Sequence, residues 1–395
     1  MNKHFLLSLL LGCGLLGSGL PSAAQNIIPR PSGYEAATGQ FTFAEGTVVA
    51  CEGLPDSLKT EALRFVGAFE TASGLDLATA ATAEGGVTCL HGSYDTYGAE
   101  GYKLAVAPEG ITVEAATSAG YFYAFQSLKM LLPRNVMAEK ADAGVTAYAA
   151  PACTITDSPR FAYRGFMLDC ARHFFTIDEV KRVLDVMAYY KMNRFHWHLT
   201  DDQGWRMEMP KYPRLQTVAA ARQGSWNVDP EYGRYYVADQ YGPYYYTIEQ
   251  MKEIVAYAAE RHIEVIPEVE MPGHLCAAIT AYPEFSCNPY GAHRVWNDGG
   301  VSTDVLDISN PKAIQFCKDV LDELVEIFPY EYIHIGGDEC PTSAWESSAS
   351  CQALKEELGY TNIRGLQSHF THELAQYMAD KENPAKRRKL IAWNE

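Results

Sequence analysis

After Asp157 the apolar positions fall into a repeat: a short, nearly continuous apolar run, then a longer stretch with apolar residues three and four apart. The short runs are Phe166–Leu168, Arg194–Leu199, Ile263–Pro267, Tyr332–Ile335 and Lys389–Trp393. The longer ones span Ile177–Tyr190, Thr247–Arg261, Pro311–Ile327, Ala344–Leu358 and Ile363–Asp380. A period near 3.6 predicts an amphipathic helix, and a short uninterrupted run bounded by turn residues predicts a buried strand. Thr176 opens the first helix with Glu179 three residues later, the capping-box spacing, and Thr247 opens the second with a Glu or Gln in its first turn. Alternating strands and helices imply parallel strands covered by helices. Five such units, each with polar residues just past the strand, predict an α/β fold: a (β/α)₈ barrel of TIM type, cut short after about five strands. The site of such a barrel gathers at the carboxyl ends of its strands.

The pattern before that point is different. Residues 26–155 predict a small α+β domain, leaving 156–395 to the barrel. Phe41-Thr42-Phe43 and Val48-Val49-Ala50 are strand-like, and Leu58, Ala62, Phe65, Val66 and Phe69 fall on one face of a helix over 58–73. Two alternating runs, Tyr102–Val106 and Ile111–Glu114, flank Pro108-Glu109-Gly110 and predict a hairpin. Gly120–Leu132 predicts a helix stopped by Pro133, and the Ala- and Gly-rich stretch 138–150 a linker or edge loop. Residues 1–25 predict a signal peptide: Lys3, an apolar stretch from Phe5 to Leu20, then Pro21-Ser22-Ala23-Ala24 with cleavage after Ala24. Leu10-Leu11-Gly12-Cys13 offers a lipoprotein box as the alternative, with Cys13 lipidated. Either route exports the protein to the periplasm, cell envelope or exterior. No other stretch approaches the roughly 18 apolar residues of a transmembrane span.

Composition narrows the class of partner. With 47% apolar and 21% charged residues the 395-residue chain can bury a core. A formal charge of −17 repels phosphate backbones and anionic lipid, which argues against a nucleic-acid partner and fits a neutral or cationic substrate. Tyr, at 25, outnumbers Phe, at 16. A ring with a polar tip suits a ligand of mixed character such as a sugar. The ten cysteines contain no C-x-x-C pair, so a zinc ribbon or thioredoxin motif is unsupported. Cys276 with Cys287, or Cys340 with Cys351, would each close a loop of about a dozen residues as a disulfide; buried free thiols are the alternative.

The chemistry-bearing residues crowd the strand ends: Asp169 to His173, then His196, His198 and Asp201 to Arg206, then Glu268, Glu270 and His274, then Gly336-Gly337-Asp338-Glu339, and finally Trp393-Asn394-Glu395. On an extended backbone, adjacent side chains such as Asp338 and Glu339 point opposite ways and could serve two positions on one ligand. Gly336 and Gly337 permit a sharp turn and close ligand approach. A Glu339 shielded from water would have a raised pKa and could act as a general acid. A competing expectation comes from His196 and His198: His-x-His at a barrel strand end also begins the site of metal-dependent hydrolases, with His274, Asp201 and Asp338 to complete a shell. The Tyr-rich stretch Tyr232–Tyr246 lies in a long loop after the second strand, either as a stacking wall for a second sugar or as ordinary packing.

These runs, in this order at these strand ends, resemble the β-N-acetylhexosaminidases of glycoside hydrolase family 20. The resemblance rests on Arg164-Gly165, Asp169, Arg172-His173, the run Phe195 to Arg206, Pro267-Glu268, Pro272-Gly273-His274, His334 to Glu339 and Trp393-Asn394-Glu395. It implies exo-acting, retaining hydrolysis of terminal N-acetylhexosamine (GlcNAc or GalNAc) from glycans or chitooligosaccharides. In this scheme the substrate's own 2-acetamido oxygen is the nucleophile, without metal or cofactor. By this resemblance Glu339 is the acid/base and Asp338 holds the acetamido N–H. Arg172 would bind the sugar hydroxyls, Asp201 and His274 would tune Glu339, and Trp393 would pack on the acetamido methyl. The family's remaining pocket residues come from strands six to eight, which this chain does not show. A non-catalytic sugar-binding relic is therefore a third expectation.

Overall fold

The computed structural model describes residues 27–142, 144–145 and 147–394; the expected leader with Cys13, and Glu395, lie outside them. The chain divides into two compact units that part between Arg160 and Phe161.

The first unit is built on a seven-stranded sheet of order β1-β7-β5-β6-β4-β2-β3. Its strands are β1 (Gly33–Phe43), β2 (Val48–Ala50), β3 (Ala78–Ala80), β4 (Val87–His91), β5 (Tyr102–Ala107), β6 (Gly110–Ala115) and β7 (Tyr148–Asp157). Helices α1 (Asp56–Ser73) and α3 (Ser118–Leu131) pack on each other, with Phe65 stacked on Phe125 at 4.6 Å; a single-turn α2 covers Tyr94–Tyr97. The β5–β6 hairpin turns at Pro108-Glu109, closed by the pair Ala107 and Gly110. Strand β7 corrects the sequence reading: it takes in 148–150, assigned to a linker, and runs through the boundary placed at 155. Ala149, Ala150, Pro151 and Ala152 have weak strand preference of their own. Ala149, Ala150 and Pro151 are extended because β1 pairs with them, and β5 joins the second half of β7 from Cys153 on.

The second unit holds a five-stranded sheet, β8 (Gly165–Asp169), β9 (Arg194–His198), β14 (Glu264–Glu268), β15 (Tyr332–His334) and β16 (Lys389–Ile391), every pair parallel and every strand next to its sequence neighbour in the sheet. This is the wall of a βα barrel. The connecting helices include α4 (Ile177–Tyr189), α5 (Ile248–Ala259), α7 (Pro311–Ile327) and α10 (Gly365–Ala379), with shorter α6 (Cys276–Ala281), α8 (Ser343–Ser347) and α9 (Ala349–Glu357). Both predicted caps form as complete boxes, Thr176 with Glu179 and Thr247 with Gln250. Their apolar faces bury Val180, Leu184 and Met187 on α4, and Met251, Ile254 and Ala258 on α5.

Between β9 and α5 the chain makes a small ladder of β10 (Thr200–Asp201) and β11 (Gly204–Trp205), then an antiparallel hairpin of β12 (Arg222–Asp229) and β13 (Gly233–Tyr241). The stretch read as a long Tyr-rich loop is thus largely a strand pair. Both its faces are partly wet, so no apolar alternation marks it. Arg206, fully buried, ties the hairpin base to the strand ends by donating to the carbonyls of Ala171, Gln203, Ala220 and Tyr244. Every described cysteine is a free thiol. Neither pairing expected from loop length forms: Cys276 instead donates to the Arg294 carbonyl, and Cys287 lies 3.9 Å from Cys351. Sequence spacing fixes loop length but not which segments fold together.

Candidate active site

The site begins with strand register. Because the sheet is parallel and in register, Asp169, His198, Glu268 and His334 form one lateral row across four strands. Neighbouring strands lie about 4.8 Å apart, which sets imidazole against carboxylate. Glu268, fully buried, faces three imidazoles: His196 Nε2 at 2.8 Å, His198 Nδ1 at 2.5 Å, and His334 Nδ1 at 2.9 Å, the last of which also accepts the Gly336 N–H. Burial alone would favour its neutral form, but the surrounding imidazoles, with the His198 hydrogen bond among them, hold its carboxyl far below the usual range. The two histidines that suggested a metal shell are thus turned onto one carboxylate.

A second line of contacts runs outward from this hub. His198 Nε2 lies 3.0 Å from Asp201, which also takes Arg172 Nη2 at 2.8 Å and faces His274 Nδ1 at 3.3 Å. Burial opposes charge on His198, yet hydrogen bonds to Asp201 and Glu268 outweigh it and raise its pKa to about 10. His274 is raised to about 11 against its own burial, by bonds to Asp201 and Asp202. Both rings are therefore imidazolium ions at neutral pH. Asp201 is correspondingly held low, since its contacts to His198, His274 and Arg172 outweigh burial. Arg172 is fixed on two further sides, by Asp169 at 3.0 Å and by Gln203 at 3.0 Å, while its side chain stays 39% exposed.

Asp338 and Glu339 close the line. His274 Nε2 stands 4.0 Å from Asp338 and 3.8 Å from Glu339. Opposite orientations were expected from an extended backbone; instead both carboxylates reach one imidazole. The cause is the backbone past β15, which turns left-handed at Gly336 (φ 63°), Gly337 (φ 88°) and Glu339 (φ 45°). At Gly336 glycine is required twice, because a Cβ there would also lie 1.7 Å from the Glu270 carboxylate. Positive φ at a glutamate is strained, and such strain collects at functional positions. The expected shielding of Glu339 is absent: its side chain is 54% exposed, against 26% for Asp338. Trp393 is anchored through its backbone N–H to the Gly336 carbonyl at 3.0 Å, and its indole lies over His334 at 4.8 Å with 41% of the residue exposed.

The fold thus brings Arg172, Asp201, His274, Asp338 and Glu339 into one chain of contacts, with Trp393 beside it on the same strand ends. Four further residues of the strand-end runs, to which sequence alone assigned no separate role, complete it: Glu268, Asp202, Gln203 and Glu270. Glu270 is buried, accepts the Gly337 N–H at 3.2 Å, and is pushed well above the usual carboxyl range by burial and by Glu268. The register sets Glu268 opposite His198 and Ile266 opposite His196, while Glu270 lies two residues past the end of β14.

Carboxylates, a fixed arginine and an exposed indole thus gather at the strand ends of a βα sheet. The chain belongs to glycosyl hydrolase family 20: the description "Glycosyl hydrolase family 20, catalytic domain" matches residues 161–395, and "Glycosyl hydrolase family 20, domain 2" matches residues 24–158. It is 36% identical over 376 residues to a beta-hexosaminidase of Porphyromonas gingivalis, covering 94% of this chain and 45% of that protein. Among solved structures it is similar to an exo beta-N-acetylglucosaminidase from Vibrio harveyi in complex with N-acetylglucosamine (TM-score 0.77, 32% identity, 94% of this chain and 55% of that one). A mutant Streptomyces plicatus beta-hexosaminidase in complex with its product GlcNAc matches at TM-score 0.75 and 32% identity, over 93% of this chain and 65% of that one. The chain spans about half the length of the curated relatives it matches.

Proposed function

We propose that the protein removes terminal β-linked N-acetylhexosamine from glycans or chitooligosaccharides, with retention at the anomeric carbon, and that its five strands are the first five of a (β/α)₈ barrel. The observation that carries this reading is the contact line Arg172–Asp201–His274 ending on the Asp338–Glu339 pair. Arg172, pinned yet open on one side, forks onto the ring hydroxyls of the terminal sugar. The acetamido carbonyl oxygen attacks C1 as Glu339 gives its proton to the departing glycosidic oxygen. Asp338 accepts the acetamido N–H, which aims that oxygen and stabilises the positive charge of the oxazolinium ring. Trp393 supplies the apolar wall for the acetamido methyl. Water then attacks C1 from the face the leaving group vacated, with Glu339 taking its proton. His274, held as a cation by Asp201 and Asp202, positions both carboxylates.

Relatives named for beta-hexosaminidase activity, and neighbours solved with N-acetylglucosamine, support the substrate class. The leader-like residues 1–25 support export, with signal-peptide cleavage after Ala24 or lipidation of Cys13; mass measurement of the mature amino terminus distinguishes the two. Turnover of an aryl N-acetylglucosaminide by the full-length protein, set against the matching plain glucoside, tests the mechanism. Cleavage confined to the 2-acetamido sugar is expected. Equal cleavage of the glucoside would defeat substrate assistance.

A further inference from the structure

Away from the strand ends, three separate segments bring sulfur and oxygen together. Cys287 lies in the connection after α6, Asp307 just before α7, and Cys351 in the first turn of α9. The two sulfurs are 3.9 Å apart, and Cys351 Sγ is 3.4 Å from Asp307 Oδ1 and 3.7 Å from Ser309 Oγ. One donor atom from each of Cys287, Asp307 and Cys351 lies within 4.8 Å of the others. A disulfide requires sulfurs at about 2.05 Å, roughly half the separation seen. Two thiolates on one tetrahedral zinc, each at about 2.3 Å, stand roughly 3.8 Å apart, and a thiolate and a carboxylate oxygen roughly 3.5 Å apart. Both observed distances agree with the second geometry.

We propose that Cys287, Cys351 and Asp307 form a zinc site, with water as the fourth ligand. Two thiolates select a borderline-soft ion over magnesium or calcium, and the carboxylate adds a third negative charge. Binding releases one proton from each thiol, so no oxidant or reductant is needed. Access is open: Cys287 lines a cavity of about 600 Å³ with Ser286, Asn288, His293, Asp304 and Ser348. The ion would tie the connection after the third barrel strand to the helix that follows Asp338 and Glu339. It would brace the loop of the catalytic pair from behind without touching substrate.

The test is cobalt(II) titration of the full-length protein, stripped of metal and kept reduced with a phosphine. Wild type should take up one cobalt with a near-ultraviolet thiolate-to-metal band, lose two thiols to a thiol reagent, and release the band when zinc is added. Cys287→Ser and Cys351→Ser should each abolish the band. Asp307→Asn should weaken binding at least about tenfold, since it removes an anionic ligand. Cys317→Ser, at a buried thiol elsewhere, should leave the band unchanged. Should buried Cys351→Ser fail to fold, the half-buried Cys287 variant decides the matter alone. No band in reduced wild type overturns the proposal. So does purified protein two mass units light, with a Cys287–Cys351 linked peptide and no cobalt uptake after reduction.

Discussion

Two groups of acidic and histidine side chains lie a few residues apart on the same strands, and they differ in nearly every physical respect. The hub around Glu268 is buried, in register, and has three imidazoles on one carboxylate. The Asp338–Glu339 pair sits past the strand end on a left-handed backbone, open to solvent, with one imidazolium 3.8 to 4.0 Å away. Residue type alone does not separate them. What separates them is burial and backbone. The hub carboxylate is closed in among three imidazoles, whereas the side chains of the pair are 26% and 54% exposed on a left-handed turn. His274 belongs to both worlds, with Nδ1 facing the buried aspartates and Nε2 the pair.

The sharpest way to break this comparison is to test the five described strands by themselves. Residues 26–395 expressed alone should show no measurable hexosaminidase activity and should aggregate, because β8 and β16 present open edges and Phe166 and Met167 are exposed on β8. Soluble, monomeric and active material in gel filtration and an aryl-glycoside assay would show that the five strands suffice. Next in size, Glu339→Gln in the full-length protein should cut turnover of unactivated glycans by about 10²–10⁴-fold. Activated aryl leaving groups should be partly spared, while Asp338→Asn should damage both substrates; equal losses for Glu339→Gln on both would remove its role as acid.

Changes in the hub should instead register as stability. Glu268→Ala removes the buried carboxylate that His196, His198 and His334 face and should cost about 3–5 kcal/mol in denaturant unfolding. A wild-type-like midpoint with lost activity would move Glu268 into the chemistry. The smallest effect is a pH slope. His198 and His274 have folded pKa values near 10 and 11, raised from the usual 6.5. Their contribution is therefore complete below about pH 6.5 and is lost as pH rises through 10 to 11. Unfolding midpoints should decline across that window, and His198→Gln should flatten the decline. A midpoint that climbs with pH there would contradict the imidazolium assignment.

Much of this was readable from the chain because it was local. Thr176-x-x-Glu179 and Thr247-x-x-Gln250 specify helix starts by hydrogen bonds three residues apart, and the β5–β6 hairpin is set by its own turn. Arg172, Asp201, His274, Asp338, Glu339 and Trp393 could be picked out as strand-end residues, though not their mutual distances. What escaped depends on partners distant in sequence. Strand β7 exists through β1 and β5, and the Glu268 hub through the register of three strands. The left-handed backbone at Glu339 is not announced by residue identity alone, since glutamate rarely adopts it.

The neighbour-to-neighbour order of the parallel strands also bears on how the chain leaves the ribosome. Each strand of the five-stranded sheet pairs only with the strand of that sheet made before or after it, although the β10–β11 ladder and the β12–β13 hairpin are made between β9 and β14. In the first unit, β1 must wait for β7, with Gly33 pairing Thr156. Synthesis at about 5–20 residues per second is slow compared with the closing of short loops. The sheet of the second unit can therefore grow one βα step at a time, each new strand adding to a settled edge. The first unit holds its opening strand unpaired until more than a hundred further residues have emerged, and then closes at once.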